Sequence, residues 1–223
     1  MTKNINVMAI QMSSKLGDKK QNITKIQKLI ENNVQKNTDI IILPEVWTVG
    51  WACEYFIESA ENLEDSEVIN FLSEMAKTYN VNIIGGSFIT KKGEQFYNTC
   101  PVLNRNGELV ATYDKCHLFN YYGDIEGEII TAGKNPVIVT LDGVKVGLTI
   151  CYDIRFPEIY RAYAKKGVDL MVNVAAWGST KEIPWISMTH SRAVENQCYF
   201  VALTQSGAIN NGLFNLGKST IIN

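Results

Sequence analysis

The sequence predicts an α/β protein with a layered sheet core and helices outside. Two observations carry this prediction. Short runs rich in Val, Ile and Leu alternate with helix-like stretches in both halves of the chain, and a β-rich middle separates the halves. The chain has 223 residues, 46% of them apolar, which is enough to bury a substantial core. Because no repeat or linker interrupts the sequence, we predict a single domain over residues 1–223.

The first half contains strands and helices in turn. A continuous apolar run at residues 40–43 is typical of a strand that is covered on both faces. Apolar residues at helical spacing predict a helix over residues 66–79. The predicted elements of this half are a strand at 5–10, a helix at 22–34, a strand at 40–43, a helix at 66–79 and a strand at 81–84.

The middle of the chain predicts short β-strands followed by a loop. Residues 87–113 hold two or three β-runs, broken at Lys92-Gly93 and at Asn106-Gly107, and an Asn-Gly pair between apolar runs is a strong hairpin signal. Residues 119–136 have no clear period, which predicts a long surface loop. The second half then returns to strands at 145–150, 170–174 and 199–204, with helices at 158–166 and 185–196.

Composition excludes several classes of protein. The formal net charge is -2 and no long basic run occurs, so we expect no nucleic-acid partner. The N-terminus lacks the apolar stretch of a signal peptide, and no run approaches the roughly 18 apolar residues of a membrane span. Five widely spaced cysteines without a C-x-x-C pair indicate free thiols and a cytoplasmic location. With only two histidines, we expect no metal.

Cys151 is the first candidate for chemistry. It follows an apolar strand, and Pro157 marks the first turn of the next helix, so the cysteine lies on a strand-to-helix turn. Main-chain N–H groups and a helix N-terminus directed at the sulfur lower a thiol pKa and can hold a developing oxyanion. The alternative interpretation is a buried, inert cysteine.

Glu45 and Lys115 are the other two candidates. Glu45 follows the apolar strand at 40–43, at the sheet edge where α/β folds place ligands, and suits general-base work. Lys115 lies between aromatic and apolar residues and can stabilise an anionic intermediate. The alternatives are a solvated loop glutamate and a surface lysine. A rival enzyme would pair Cys151 with His117 or His190, although His117 is more typical of a structural histidine.

Together these segments resemble the carbon–nitrogen hydrolases, also called the nitrilase superfamily. The resemblance rests on LPEVW around Glu45, YDKCHLF around Lys115 and ICYDIRFPE around Cys151, with support from IIGGSF, NTCPVLNRNGELV, NVAAWG and SRAVENQCY. It implies a four-layer αββα sandwich and a Glu45, Lys115 and Cys151 triad. It also implies a small-molecule amide substrate, no cofactor, and a homodimer or a higher homo-oligomer.

The family also uses a second glutamate in the loop after the lysine. That residue usually lies seven positions before the glycine of a Pro-Gly or Ala-Gly pair. Ala132-Gly133 supplies the pair here, so the resemblance assigns the role to Glu126, whereas Glu128 lies too close.

The motifs look most like the ω-amidase branch, whose substrates are monoamides of dicarboxylic acids such as 2-oxoglutaramate. Arg155 can bind the distal carboxylate in a bidentate manner, or can instead pair with Glu158. The aromatic residues that can shape the pocket, or pack in the core, are Tyr121, Tyr122, Tyr152 and Trp177. N-carbamoyl compounds and nitriles are the alternative substrates, and a non-catalytic binding module is the alternative function.

The C-terminal segment raises two further points. Family members usually continue beyond a G-x-S-x-I-I-x-P segment, so we expect that the final strands and tail are missing here. Residues 212–219 also fit the P-loop pattern G-x-x-x-x-G-K-S. A P-loop opens a helix, whereas a polar Asn210-Asn211 loop precedes this segment and Ile221-Ile222 favours a strand, so we expect no nucleotide site.

Overall fold

A computed structural model describes residues 4–121, 125–209 and 212–223. The first half of the chain builds a six-stranded sheet, in the order β1-β2-β3-β5-β4 with β6 paired to β5. Its strands β1, β2 and β3 run parallel, and the later strands join as antiparallel neighbours. The bounds are β1 (Val7–Ala9), β2 (Ile40–Ile42), β3 (Asn82–Ile84), β4 (Phe88–Lys92), β5 (Gln95–Leu103) and β6 (Leu109–Asp114).

The second half builds a five-stranded sheet. Its strands are β7 (Val137–Leu141), β8 (Val144–Ile150), β9 (Leu170–Ala175), β10 (Tyr199–Thr204) and, after a small two-stranded sheet of β11 (Ser206–Ala208) and β12 (Phe214–Leu216), β13 (Thr220–Ile222). The order is β13-β10-β9-β8-β7, with β8, β9 and β10 parallel. Parallel strands align their carboxyl ends at one edge, and polar side chains of different strands can meet there.

The described residues form six α-helices beside the sheets. They are α1 (Lys19–Asn33), α2 (Phe56–Ser59), α3 (Glu67–Tyr79), α4 (Glu126–Ile129), α5 (Pro157–Lys165) and α6 (Glu182–Asn196). Pro157 opens α5 at a position where its missing N–H costs no helical hydrogen bond. Among the residues described, no helix is long and apolar enough to cross a membrane.

Alternating side chains divide the core into layers. Ile41 and Ile83 pack with the buried faces of α1 and α3, whereas Ile40, Ile42 and Ile84 belong to the cluster that joins the first sheet to the second. The same cluster contains buried residues of α5 and α6. The order of layers is therefore helices, sheet, sheet, helices, and the prediction of a four-layer αββα sandwich is confirmed.

The predicted elements lie within a few residues of the observed ones, and the differences are local. The strands β7, β11 and β12 were not predicted. The loop over 119–136 contains the four-residue helix α4, which is too short to produce a helical period. In the P-loop-like segment, β12 is extended and β13 follows Ser219 where a helix would be needed, so no P-loop forms. Asn210 and Asn211 lie outside the described residues.

Candidate active site

Three predicted site residues meet at the edge where both sheets end. Glu45 lies three residues after β2, Lys115 directly follows β6, and Cys151 directly follows β8. The first two belong to one sheet and the third to the other. The site therefore lies across the junction between the two sheets.

Lys115 is the centre of a fully buried group of charges. Its Nζ lies 2.9 Å from Oε1 of Glu45 and 3.0 and 2.9 Å from Oε1 and Oε2 of Glu126. All three side chains have no exposed surface. Burial alone lowers the pKa of Lys115, but the two carboxylates outweigh it and hold that pKa well above its usual value. Lys115 therefore stays charged.

Glu126 occupies the position that the Ala-Gly spacing predicted. It is the first residue of α4, and its Oε2 also accepts a hydrogen bond of 2.7 Å from the main-chain N–H of Phe119. Burial raises the pKa of Glu126, and Lys115 opposes that rise. Gly133 is needed for this arrangement because a Cβ there would lie 2.1 Å from the carbonyl oxygen of Asp114. The glycine lets the returning loop run against the end of β6.

Cys151 has a strained main chain. Its φ is +45°, in the left-handed region that residues with a side chain rarely adopt, and the residue is 7% exposed. Burial, followed by the negative charge of Glu45, raises the pKa of its thiol well above the usual value, against the opposing effect of Lys115. We expected the turn to lower this pKa, and that expectation was wrong because desolvation and the nearby carboxylates dominate.

Asp153 holds the turn that carries Cys151. Its carboxylate accepts hydrogen bonds from the main-chain N–H of Ile150 (2.9 Å), from the Tyr113 hydroxyl (2.6 Å) and from the His117 main-chain N–H (2.9 Å), and its Oδ1 lies 2.7 Å from Nδ1 of His117. Asp153 is fully buried. One carboxylate thus ties the turn that carries Cys151 to the segment on both sides of Lys115.

Two further buried side chains bind carbonyl groups of this turn. Arg192 donates from Nε and Nη2 to the carbonyl oxygen of Ile154, at 3.1 and 2.9 Å. Asn173 donates to the carbonyl oxygen of Cys151 at 3.4 Å. Together with Asp153, these contacts offset the cost of the strained φ at Cys151.

The turn that carries Glu45 is also strained and supported. Val46 has a φ of +40°, which is unusual for a β-branched residue, and its N–H donates to the Ser87 hydroxyl at 3.0 Å. Gly86 packs directly against the main chain of Pro44, and a Cβ at this position would lie 2.0 Å from the Pro44 carbonyl oxygen. The Glu45 carboxylate is oriented further by the main-chain N–H of Ala176, which donates to Oε2 at 2.8 Å.

A cavity of about 130 Å³ opens over Cys151. It contains the predicted substrate-binding residues Tyr152, Arg155 and Trp177, and the Arg155 guanidinium lies 5.5 Å from the ring centres of both aromatic residues. Within the described residues, Arg155 makes no ion pair with Glu158. Further lining residues are Trp51, Phe119, Ala176, Gly178, Ser179, Thr180, Lys181, Ile209, Leu213 and Phe214.

Two aromatic residues of the predicted pocket have a different outcome. Tyr121 is exposed and does not line the cavity, although its ring centre lies 6.0 Å from those of the lining residues Phe119 and Tyr152. Tyr122 lies outside the described residues.

Neither histidine contacts Cys151 within the described part of the chain. His117 pairs with Asp153, and its ring stacks on Phe156 with centres 3.7 Å apart. His190 lies on α6 and contacts the carbonyl oxygen of Ile186 at 2.8 Å. In the same residues, no group of three or more His, Cys, Asp or Glu side chains has an arrangement that holds a metal.

Sequence reasoning missed four residues of the site. Asn98 donates to both glutamates, Asp153 ties two segments together, Lys181 adds a second cation to the cavity, and the Trp51 ring lies 5.1 Å from the Lys115 ammonium. Only Asp153 had a usable signal, since it lies two residues after Cys151 in the ICYDIRFPE motif. The others come from segments with no catalytic pattern of their own.

Comparisons with known proteins identify the family of the chain. The carbon-nitrogen hydrolase family model matches residues 6–223. An Arabidopsis thaliana omega-amidase, described as chloroplastic, is 34% identical over 98% of this chain, which spans 61% of the length of that relative. A 2-oxoglutaramate amidase from Bacillus subtilis is 33% identical over 97% of this chain and 82% of its own.

A solved structure shares the fold. A CN-hydrolase superfamily protein from Xanthomonas campestris, crystallised with an arsenic adduct in its active site, has a TM-score of 0.89 and 26% identity. The match covers 99% of this chain and 87% of that chain. With a layered sandwich, a family model that spans nearly the whole sequence, and relatives above 30% identity, the chain belongs to the carbon–nitrogen hydrolase family.

Proposed function

We propose that the protein is a cysteine-dependent amidase that cleaves the C–N bond of a linear amide and releases ammonia. The observation that carries the proposal is the buried Glu45, Lys115 and Glu126 group beside the Cys151 thiol, at the floor of a cavity. A thiol, a carboxylate base and a fixed cation are the groups that acyl transfer requires.

Acylation begins from a protonated thiol, since the pKa of Cys151 is raised. Glu45 accepts the thiol proton as the sulfur attacks the amide carbonyl carbon. The tetrahedral intermediate then collapses, the C–N bond breaks, and protonated Glu45 returns the proton to the leaving nitrogen. A thioester on Cys151 and free ammonia are the products of this half-reaction.

Lys115 and a main-chain N–H hold the oxyanion of the intermediate. The two contacts of Lys115 with Glu126 can share one N–H, so one of the three ammonium protons remains for the substrate. The main-chain N–H of Tyr152 is the second donor, because the 3₁₀ helix over Cys151–Arg155 provides no helical acceptor for its first N–H groups. Both donors lie in a buried site where electrostatic stabilisation is strong.

Deacylation uses the same groups. Glu45 removes a proton from water as the water oxygen attacks the thioester carbon. The second tetrahedral intermediate collapses, the C–S bond breaks, and protonated Glu45 returns the proton to the Cys151 sulfur as the carboxylic acid leaves. Glu126 keeps Lys115 and, through it, Glu45 in place, and can hydrogen-bond the substrate.

We further propose that the acyl group carries a carboxylate. Arg155 and Lys181 line the cavity, and no lining residue has an acidic side chain within the part that the structure describes. Lys181 is positioned 4.7 Å from the Phe119 ring centre. Two cations at the opening of one cavity favour the binding of a negatively charged group there. The relatives described as an omega-amidase and a 2-oxoglutaramate amidase support a small ω-monoamide of a dicarboxylic acid, and we propose 2-oxoglutaramate or 2-oxosuccinamate.

The substrate proposal is tested by ammonia release from a panel of amides, nitriles and N-carbamoyl compounds. We expect the two oxo-amides to be the best substrates. Replacing Arg155→Met should raise KM for the oxo-amides about tenfold or more, since it removes a charge-assisted contact, and should leave an uncharged short amide unaffected. Arg161→Met, on the outer helix α5, is the matched control. Faster turnover of a nitrile or an N-carbamoyl amine would refute the substrate and leave the triad standing.

The catalytic proposal is tested by mass spectrometry. A brief incubation with an amide or ester should add an acyl group to Cys151, and Glu45→Gln should abolish that adduct. His117→Ala and His190→Ala should each still form the adduct, because neither ring contacts the thiol. If a histidine variant lost the adduct while Glu45→Gln kept it, a cysteine–histidine enzyme would be supported. If no adduct formed across a broad panel, a non-catalytic binding role would be supported.

We also propose a homodimer and a cytoplasmic location. Three apolar side chains on α6 and the start of β10 are largely exposed, namely Ile183 (78%), Val194 (72%) and Tyr199 (61%). Together with α5, they form a candidate surface for a second copy. The five free cysteines suit a reducing compartment. Light scattering on the purified protein tests the dimer, and a monomer at all concentrations would contradict it.

A further inference from the structure

Asn98 contacts every charged member of the buried group. It lies on β5 and is fully buried. Its Nδ2 donates to Oε1 of Glu45 at 3.0 Å and to Oε1 of Glu126 at 3.2 Å. Its main-chain carbonyl oxygen accepts the N–H of Lys115 at 2.9 Å. One uncharged residue therefore joins two carboxylates and the cation between them.

The same two carboxylate oxygens are also the ones that Lys115 binds. Oε1 of Glu45 and Oε1 of Glu126 each receive one contact from Lys115 and one from Asn98. The amide and the ammonium thus hold the carboxylates from two sides. Because an amide carries no charge, it adds a donor without cancelling the negative charge that a general base needs.

The orientation of the Asn98 amide follows from its surroundings. Its Oδ1 is buried and has no hydrogen-bond partner among the described residues, whereas Nδ2 has two. The reversed amide would turn its oxygen toward two carboxylate oxygens, which repel it. The unpaired, buried carbonyl oxygen of Asn98 lowers the stability of the fold. A residue selected only for folding would not carry that cost, so the amide indicates a role in the site.

We propose that Asn98 is a positioning residue that holds Glu45 and Glu126 around Lys115 and keeps Glu45 oriented as the ionised base. This inference rests on the proposed function, because it assigns the role of base to Glu45. The titratable groups that face Glu45 are Lys115, Glu126 and the Cys151 thiol, and all three are retained when Asn98 alone is changed.

The test is the pH dependence of kcat/KM in Asn98→Leu, which keeps the branching at Cγ, is somewhat larger, and removes the donor. A carboxylate that loses a donor is less stable when ionised, so the acidic limb should move to higher pH by about one unit. We expect kcat to fall about tenfold and KM to change little, because Asn98 does not line the cavity. Asn98→Thr, which keeps one hydroxyl donor and suits a strand, should give an intermediate shift, and it replaces the leucine variant if that one fails to fold.

Asn82→Leu is the matched control. Asn82 is also buried, lies on the same sheet, and donates to the Asp142 carboxylate, but it is outside the site. It should change stability without moving the acidic limb. An unchanged limb in both Asn98 variants, or an equal shift in Asn82→Leu, would overturn the proposal.

A second readout separates this inference from the proposed function. The rate at which iodoacetamide alkylates Cys151, followed by peptide mass spectrometry, reports thiol activation by Glu45 without any amide turnover. Its acidic limb should also shift in Asn98→Leu. Should the unaltered protein hydrolyse no amide, the proposed function fails, and the alkylation profile still decides on Asn98: a shift supports its positioning role and an unchanged profile refutes it.

Discussion

Replacing Asp153 by asparagine should weaken both the fold and the site. The Asp153 carboxylate has two donors on each oxygen: the His117 main-chain N–H and Nδ1 on one, and the Ile150 N–H and Tyr113 hydroxyl on the other. Asparagine has the same shape, but its NH₂ group faces one of these two pairs of donors and cannot accept their hydrogen bonds. The hydroxyl can rotate and the imidazole can change tautomer, whereas a main-chain N–H cannot reorient.

The size of the effect follows from these contacts. Whichever way the amide turns, one buried main-chain N–H loses its acceptor, which costs about 1–3 kcal/mol. The remaining hydrogen bonds are weaker because their acceptor is no longer charged, which costs about 1 kcal/mol in total. We therefore expect a loss of about 3 kcal/mol, because Asp153 is fully buried and water cannot replace the bonds.

Urea unfolding measures this loss as a midpoint lowered by roughly 1–1.5 M, given a slope typical of a protein of this size. Tyr113→Phe removes one donor to Asp153 and the acceptor of a 3.3 Å hydrogen bond from the Cys116 main-chain N–H, and should cost about 1–2 kcal/mol, less than Asp153→Asn. Activity should fall about a hundredfold in Asp153→Asn, since the carboxylate fixes Cys151 relative to the Lys115 segment. A loss below 1 kcal/mol together with kcat within threefold of the unaltered protein would refute the role given to Asp153.

Three further predictions concern strain, a surface ion pair and metals. Cys151→Gly should be more stable than Cys151→Ala by about 1 kcal/mol in thermal unfolding, because glycine tolerates a φ of +45°; a more stable alanine variant would contradict the strain. Arg105 lies 2.7 Å from Asp39 and 2.6 Å from Asp142. Burial raises the pKa of Asp39, but the Asn6 main-chain N–H and the Arg105 guanidinium outweigh it and hold that pKa below its usual value. Arg105→Met should therefore lower stability modestly at neutral pH, and the difference in urea midpoint should shrink below about pH 4, as Asp39 takes up a proton; a constant difference would contradict the linkage. Activity should survive EDTA, and loss in chelator with recovery on adding zinc or manganese would overturn the mechanism.

The sequence predicted the parts of the fold that local pattern controls. The apolar run at Ile40–Ile42 and the turn at Gly107 depend on neighbours in the chain, and both are observed where the pattern placed them. The strand β12 and the helix α4 were missed because elements of three or four residues have no measurable period.

The sequence predicted some residues of the candidate site but not others. Glu45, Lys115 and Cys151 stand in segments with recognisable motifs, and the structure brings them together, although their catalytic roles remain predictions. Asn98 was not predictable because its role depends on two carboxylates 53 and 28 positions away in sequence. The direction of the thiol pKa shift was predicted wrongly for the same reason: it depends on the sum of distant charges and on burial, neither of which a turn motif contains.

The division of the site between the two sheets has a consequence for how the protein can be inactivated. Glu45 and Lys115 follow strands of the first sheet and Cys151 follows a strand of the second, so neither half of the chain contains all three groups. The apolar cluster that contains Ile42, Ile84 and Leu148 joins the two sheets, so it also holds the two parts of the site together. A shear of one sheet over the other would separate the Cys151 sulfur from Glu45 while every strand stayed folded. Alkylation of Cys151 consequently reports on inter-sheet registry, and enlarging or shrinking a side chain at that contact offers control of the chemistry from a distance.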